Sequence, residues 1–164
     1  MKKILFSLLT AVVIFTACKS QKTAIEFNDK IVAINKGFYE KGQVFGTALK
    51  TALATKDFSK LGPQCDEMVV VVNDGIAKLN AMENVSGSEE LKEQALNYFK
   101  FEKTLIDKAF VPFKSMNATT SDEEIKTATD NLMTAAKDEN NYLEKVRLAQ
   151  NEYAKKNGFT IKPQ

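Results

Sequence analysis

Apolar residues fall along this chain in two ways. Ile4, Leu5, Phe6, Leu8, Leu9, Ala11, Val12, Val13, Ile14 and Phe15 form one run, broken only by Ser7 and Thr10. Beyond it, apolar positions recur at steps of three and four, the spacing that lays a stripe along one face of a helix. Phe27, Ile31, Ile34, Phe38, Phe45, Leu49 and Ala52 predict a first long helix from Thr23 to Thr55. Leu61-Gly62-Pro63 then opens a second, since proline suits a first helical turn. Its stripe is Cys65, Met68, Val69, Val72, Ile76, Leu79 and Met82. Val69 to Val72 are β-branched and favour a strand, but no second strand exists to pair with one. The prediction is helix.

Ser86 and Glu89 stand in capping-box spacing before a third stripe of Leu91, Ala95, Leu96, Phe99, Leu105, Ile106, Phe110 and Phe113. Pro112 lacks an amide hydrogen and predicts a kink in the last turn. Tyr98 and Phe101 point to different sides of this helix, so one of them is expected near the surface. Ser121 and Glu124 repeat the capping signal for a fourth helix carrying Ile125, Ala128, Leu132, Met133, Ala136, Leu143, Val146, Tyr153 and Ala154. Lys155 and Lys156 suit its negative end, and Gly158 its stop. Phe159 and Ile161 are expected to fold back. Four amphipathic helices with short connections predict an all-α fold, an antiparallel up-down-up-down four-helix bundle over residues 23–164.

The opening apolar run follows Lys2 and Lys3 and ends in the small residues Thr16 and Ala17 before Cys18. It is shorter than the roughly 20 apolar residues that span a bilayer, and it has the layout of an exported signal. Phe15-Thr16-Ala17-Cys18 resembles the lipobox of bacterial lipoproteins, with Phe15 where the pattern most often has Leu. That resemblance covers about an eighth of the chain, and it implies processing: residues 1–17 as a signal peptide, cleavage before Cys18, and a diacylglycerol thioether with an amide-linked palmitate-type chain on Cys18. Several acyl chains hold a protein firmly where one holds it marginally, because each buried CH₂ contributes about 0.8 kcal/mol. Residues 18–22 are then a lipidated tether, and the lipid bilayer is the first expected partner.

Charge changes its meaning once the signal is removed. The precursor carries 23 basic and 21 acidic residues. Lys2 and Lys3 leave with the signal, so the mature chain is formally neutral, and nothing in its charge points to nucleic acid. Cys65 becomes the only free thiol, and on an apolar stripe it is expected to be core filler, with a reactive thiol or an intermolecular bridge as the alternatives. The chain has no histidine. That removes Glu-x-x-His di-iron sites, histidine-ligated haem, histidine-containing zinc sites and Ser-His-Asp triads together. No Asp-x-Asp-x-Asp-Gly loop suggests calcium. The expectation is no catalytic residue, cofactor or metal, and no enzyme.

Two carboxylates are the sharpest remaining candidates. Glu102 lies at the three-four step between Phe99 and Leu105, and Glu139 between Ala136 and Leu143. If the stripes hold phase, both approach the bundle interior, where an isolated charge is costly. The drift of a straight helix, about 20° per heptad, favours placing both at the core's edge in water instead. Gly42-Gln43-Val44-Phe45-Gly46 has the Gly-x-x-x-Gly spacing that lets helices approach closely; here it is expected to provide close packing against the second or fourth helix, or a kink.

The mature part, in its overall layout and in local texture such as Phe27-Asn28-Asp29, is similar to small, functionally uncharacterised surface-lipoprotein families of Bacteroidota and spirochaetes. That similarity transfers no functional residue. The expected role is a membrane-anchored envelope scaffold or binding module, acting with an envelope protein partner. The alternative is a small-ligand or cation sensor using Glu102 and Glu139. The chain lacks the aspartate after Cys18 that would resemble an inner-membrane retention signal of enteric bacteria and the early acidic cluster that would resemble a surface-export signal of Bacteroidota. The expected place is therefore the periplasmic face of the outer membrane, with surface exposure as the alternative.

Overall fold

The computed structural model describes residues 4–161, with side chains from Ser20 to Ile161. The side chains of the expected signal peptide and of Cys18 lie outside those described. Helix α1 spans Ile4–Thr55, α2 Leu61–Ala81 and α3 Glu89–Leu105. A π turn at Ile106–Phe110 and a 3₁₀ turn at Val111–Ser115 follow, then α4 at Asp122–Ala136 and α5 at Glu139–Asn157. Helices α1, α2, α3 and α5 pack in that order, and α5 closes back on α1. The fold is all-α, a four-helix bundle, with no strand among the described residues.

Contacts at the two ends fix the directions. At one end Gln21 donates to the Gly158 carbonyl, Ser20 meets the Ser86 hydroxyl at 3.0 Å, and Asn157 donates to the Ser86 carbonyl. The start of the α1 core, the α2–α3 loop and the end of α5 therefore share what we term the lower end. At the upper end Lys56, after α1, pairs with Asp122 at the start of α4 at 2.7 Å. The chain runs up, down, up and down. Residues 19–22 were expected to be tether, yet α1 runs through them without a break and Ser20 and Gln21 already bond to the bundle. No helix among the described residues is long and apolar enough to cross a membrane.

The stripes bury as their spacing requires. Phe27, Ile31, Phe38, Phe45, Leu49 and Ala52 from α1 meet Leu61, Cys65, Met68, Val72 and Leu79 from α2, and Leu91, Ala95 and Phe99 from α3. Each large side chain so buried contributes about 1.5–3 kcal/mol. Val69 to Val72 are helical, and Cys65 is a fully buried core residue. Gly75 lets α2 and α3 approach: a Cβ there would stand 2.2 Å from Cε1 of Phe99. One polar tie joins α1 to α5, where Gln150 donates to Asn28 Oδ1 at 2.8 Å.

Four expectations about the helices change. The Ser86–Glu89 capping box does not form; Ser86 takes a left-handed φ of 43°, and the buried Ser88 hydroxyl instead accepts from the Val85 amide at 2.9 Å. The box at Ser121 and Glu124 does form. The third helix gives way at Leu105 rather than kinking late. Pro112 has no amide to donate back to Lys108, and the chain absorbs the missing bond by widening to π geometry and tightening to 3₁₀. The fourth helix is two, broken at Lys137–Asp138, and Met133, placed on the buried stripe, is 64% exposed because it lies off the α4 face that carries Ala128, Leu132 and Ala136. Gly158 ends α5 at φ 70°, where the Phe159 amide bonds back to the Ala154 carbonyl. Phe159 folds onto Tyr153, their ring centres 6.0 Å apart.

Candidate functional site

Glu102 and Glu139, from different helices, reach one cleft. The cleft lies in the upper half of the bundle, between α1, α3 and the α4–α5 break, and encloses about 460 Å³. Its α1 wall carries Gly42, Gly46 and Lys50, its α3 wall Tyr98 and Glu102, and Glu139 sits where α5 begins. Phe38, Leu105 and Phe110 supply apolar surface.

Glu102 is only 3% exposed, against the expectation that it lies at a watery edge. Tyr98, Phe99, Glu102, Leu105 and Ile106 are all buried, so the three-four stripe on α3 keeps its phase through Glu102 and places its carboxylate inside. Its Oε1 is buried without a hydrogen-bond partner among the described residues. Burial, reinforced by the negative charge of Glu139, pushes its pKa up to about 8, while the Tyr98 hydroxyl one turn earlier favours the ionised form. Glu139 is half-buried, and burial raises its pKa as well. Tyr98 titrates well above an ordinary tyrosine, first from burial and then from the charges of Glu102 and Glu139. The cleft thus holds two carboxylates whose pKa values burial raises, one deep and one closer to water.

The glycine pair in α1 serves the opposite purpose from the one expected. A Cβ at Gly46 would meet nothing within 4 Å, and one at Gly42 only Met68 Cε at 3.9 Å. These glycines do not admit a neighbouring helix. They keep the wall of the cleft low.

Behind that wall the aromatics lock together. Phe45 and Phe110 stack with ring centres 4.3 Å apart and planes 2° from parallel. Phe38 meets Tyr98 edge-on at 6.4 Å and Phe99 at 5.5 Å. The π turn carries Phe110 into this contact. Phe101, by contrast, is only partly buried and stacks on Tyr142 at 4.5 Å, on another face of α3; it is thus the one nearer the surface. Cys65 lines no part of the cleft. Its thiol faces the Phe110 carbonyl at 3.5 Å, and burial pushes its pKa up to about 11, which suits an inert core residue.

A larger groove of about 700 Å³ lies lower down between α1 and α2. Its charged residues Glu26, Lys30, Lys78 and Glu83 are all exposed, and Lys78 is already paired with Asp74 at 2.6 Å. No buried polar atom there lacks a partner. The Tyr153 hydroxyl is buried and unpartnered too, but it lines neither cavity. Comparison with protein-family models, with curated proteins and with solved structures gave no match.

Proposed function

We propose that this chain is a non-enzymatic envelope lipoprotein, held by acylated Cys18 at the periplasmic face of the outer membrane, that binds a small ligand in the upper cleft. The lipobox-like residues before Cys18 support the anchor. One observation carries the binding role: a carboxylate oxygen of Glu102, buried and without a partner, lines a cleft of ligand size. A buried polar atom left unmade costs about 1–3 kcal/mol, and small-molecule sites measure about 300–1,000 Å³. Asn35, Gln64 and Tyr153 bear the same cost outside this cleft, so it is the meeting of that oxygen with a second carboxylate, Glu139, in one cleft that favours binding over a pure scaffold. The binding reading is therefore preferred to the scaffold reading, and an envelope protein partner falls to second place.

Thermal melting of the full-length lipoprotein in detergent, against a panel of small cations, anions and neutral amphiphiles, tests the cleft. At least one class is expected to raise the melting temperature of the parent chain and not that of Gly46→Leu, whose side chain fills the space beside α1. No shift across the whole panel would sink the binding role. Anchoring is tested separately: labelled palmitate is expected to enter the parent chain and not Cys18→Ala. Protease digestion of the domain on intact cells would refute the inward face.

A further inference from the structure

The lining of the cleft restricts the class of ligand, and the inference rests on the cleft being a binding site. Glu139, and Glu102 once ionised, disfavour an anion by like charge. A hard metal ion asks for six or more oxygen ligands, whereas no three His, Cys, Asp or Glu side chains converge anywhere among the described residues. What Oε1 of Glu102 lacks is a donor, and the charge beside it asks for a positive one. The rings of Phe38, Tyr98 and Phe110 line the same space, and aromatic faces attract cations. The rest of the wall, Leu105, Leu132 and Ala136, is apolar and suits a hydrocarbon body.

We propose that the cleft binds a primary ammonium compound with a short aliphatic or aryl body, its ammonium donating to Glu102 Oε1 with Glu139 as second counter-charge. The body lies along the Phe110 and Leu105 side. Three N–H donors on one compact charge can serve the unpartnered oxygen and a second acceptor at once. Lys50, exposed on α1, is the only cation among the described residues that line the cleft, and it stands at the rim.

Binding is coupled to protons. Every titratable group facing Glu102 across the cleft is accounted for by Glu139 on α5, Tyr98 on α3, and Tyr39 and Lys50 on α1; α2 and α4 contribute Met68, Leu132 and Ala136. Glu102 holds its proton up to about pH 8, while an alkylammonium like that of lysine keeps its charge to about pH 10. The cation must therefore displace a proton below that point. Affinity rises close to tenfold per pH unit between about pH 6 and 7.5, and levels off above about pH 8.5.

Titration calorimetry on the full-length lipoprotein in detergent tests this with phenethylammonium, its uncharged isostere phenethyl alcohol, and calcium chloride. Saturable binding of phenethylammonium is expected, at least tenfold tighter than the alcohol and at least tenfold weakened in Glu102→Gln. Proton release near pH 7, read from the buffer dependence of the heat, is expected in the parent and lost in that variant. Circular dichroism confirms that each variant is folded, and Gly46→Leu supplies a second block of the same site. Equal binding of amine and alcohol, or undiminished affinity in Glu102→Gln, overturns the ammonium assignment. So does calcium competing with the amine. If the alcohol binds as tightly as the amine and Gly46→Leu abolishes both, the ammonium class is wrong and the cleft still stands as a site; if no probe of any charge binds, both fall.

Discussion

Gly75 and Gly46 both sit inside long, unbroken helices, yet the surroundings of the two differ completely. At Gly75, in α2, the Phe99 ring occupies the position a side chain would need, its Cε1 2.2 Å from an added Cβ. At Gly46, in α1, an added Cβ meets open space. One glycine allows two helices to close, and the other keeps a wall from filling. The bundle is therefore two materials: a core around Gly75 and Phe99 packed to contact, and a cleft around Gly46 and Glu102 held open. The same residue type says nothing until its neighbour is known. Interiors normally close-pack, so the open half is the exception that asks for a reason.

The contrast can be broken by substitution. The largest effect is expected from Gly75→Ala, because the Phe99 ring is wholly buried and has nowhere to retreat. Overpacking should outweigh the gain in helix propensity and cost about 3 kcal/mol in urea unfolding. Phe110→Ala, which removes the ring stacked on Phe45, is expected to cost about 2 kcal/mol, below the range for a fully buried phenylalanine since Phe110 is only partly covered. A melt that leaves Phe110→Ala unchanged would mean that the stack the π turn sets against Phe45 does not brace the cleft wall.

Glu102→Gln works in the other direction. Its folded-state pKa, about 8, lies above the ordinary 4.5, so the folded protein binds the proton more tightly than the unfolded chain. Stability from this group is fully present below about pH 4.5, and is lost as pH rises toward 8. Removing the titration should stabilise the protein by about 2 kcal/mol at pH 9, a figure discounted for water entering the cleft, and should flatten the melting temperature between pH 5 and 8. A parent chain whose stability climbs over that interval would contradict a buried Glu102. The smallest effect is expected at Gly46→Ala: a gain of about 0.5–1 kcal/mol from helix propensity alone, with no clash to offset it. A loss there would show that the wall is not open.

Much of this fold was legible in apolar spacing, and the reasons for the failures are local. The stripe of α1 and the stop at Gly158 follow from side-chain period and from the left-handed preference of glycine. The paired signals at Ser86 and Ser121 look alike on paper. Only Ser121 caps its helix, because Ser86 is held by the Ser20 hydroxyl and by its positive φ, contacts made across the bundle. The break at Lys137–Asp138 carries neither glycine nor proline and left no mark to read. At the site, the period of α3 pointed Glu102 inward. Its depth was not legible, since that depends on what faces it, and the residues of α1, α4 and α5 around it meet only in the fold.

The unbroken run of α1 has a consequence for where the cleft can work. Ser20 and Gln21 are bonded to the lower end of the bundle within three residues of Cys18. With Cys18 as the proposed anchor, α1 acts as a ruler rather than a leash. Twenty-eight residues at 1.5 Å each carry Gly46 about 40 Å along the axis from the acylated end. The cleft then samples a layer of the aqueous space well clear of lipid headgroups. Ligand would reach it by diffusion through that layer and not by sliding out of the bilayer. Inserting a flexible stretch after Cys18 would lengthen the leash and blur the height without altering the affinity.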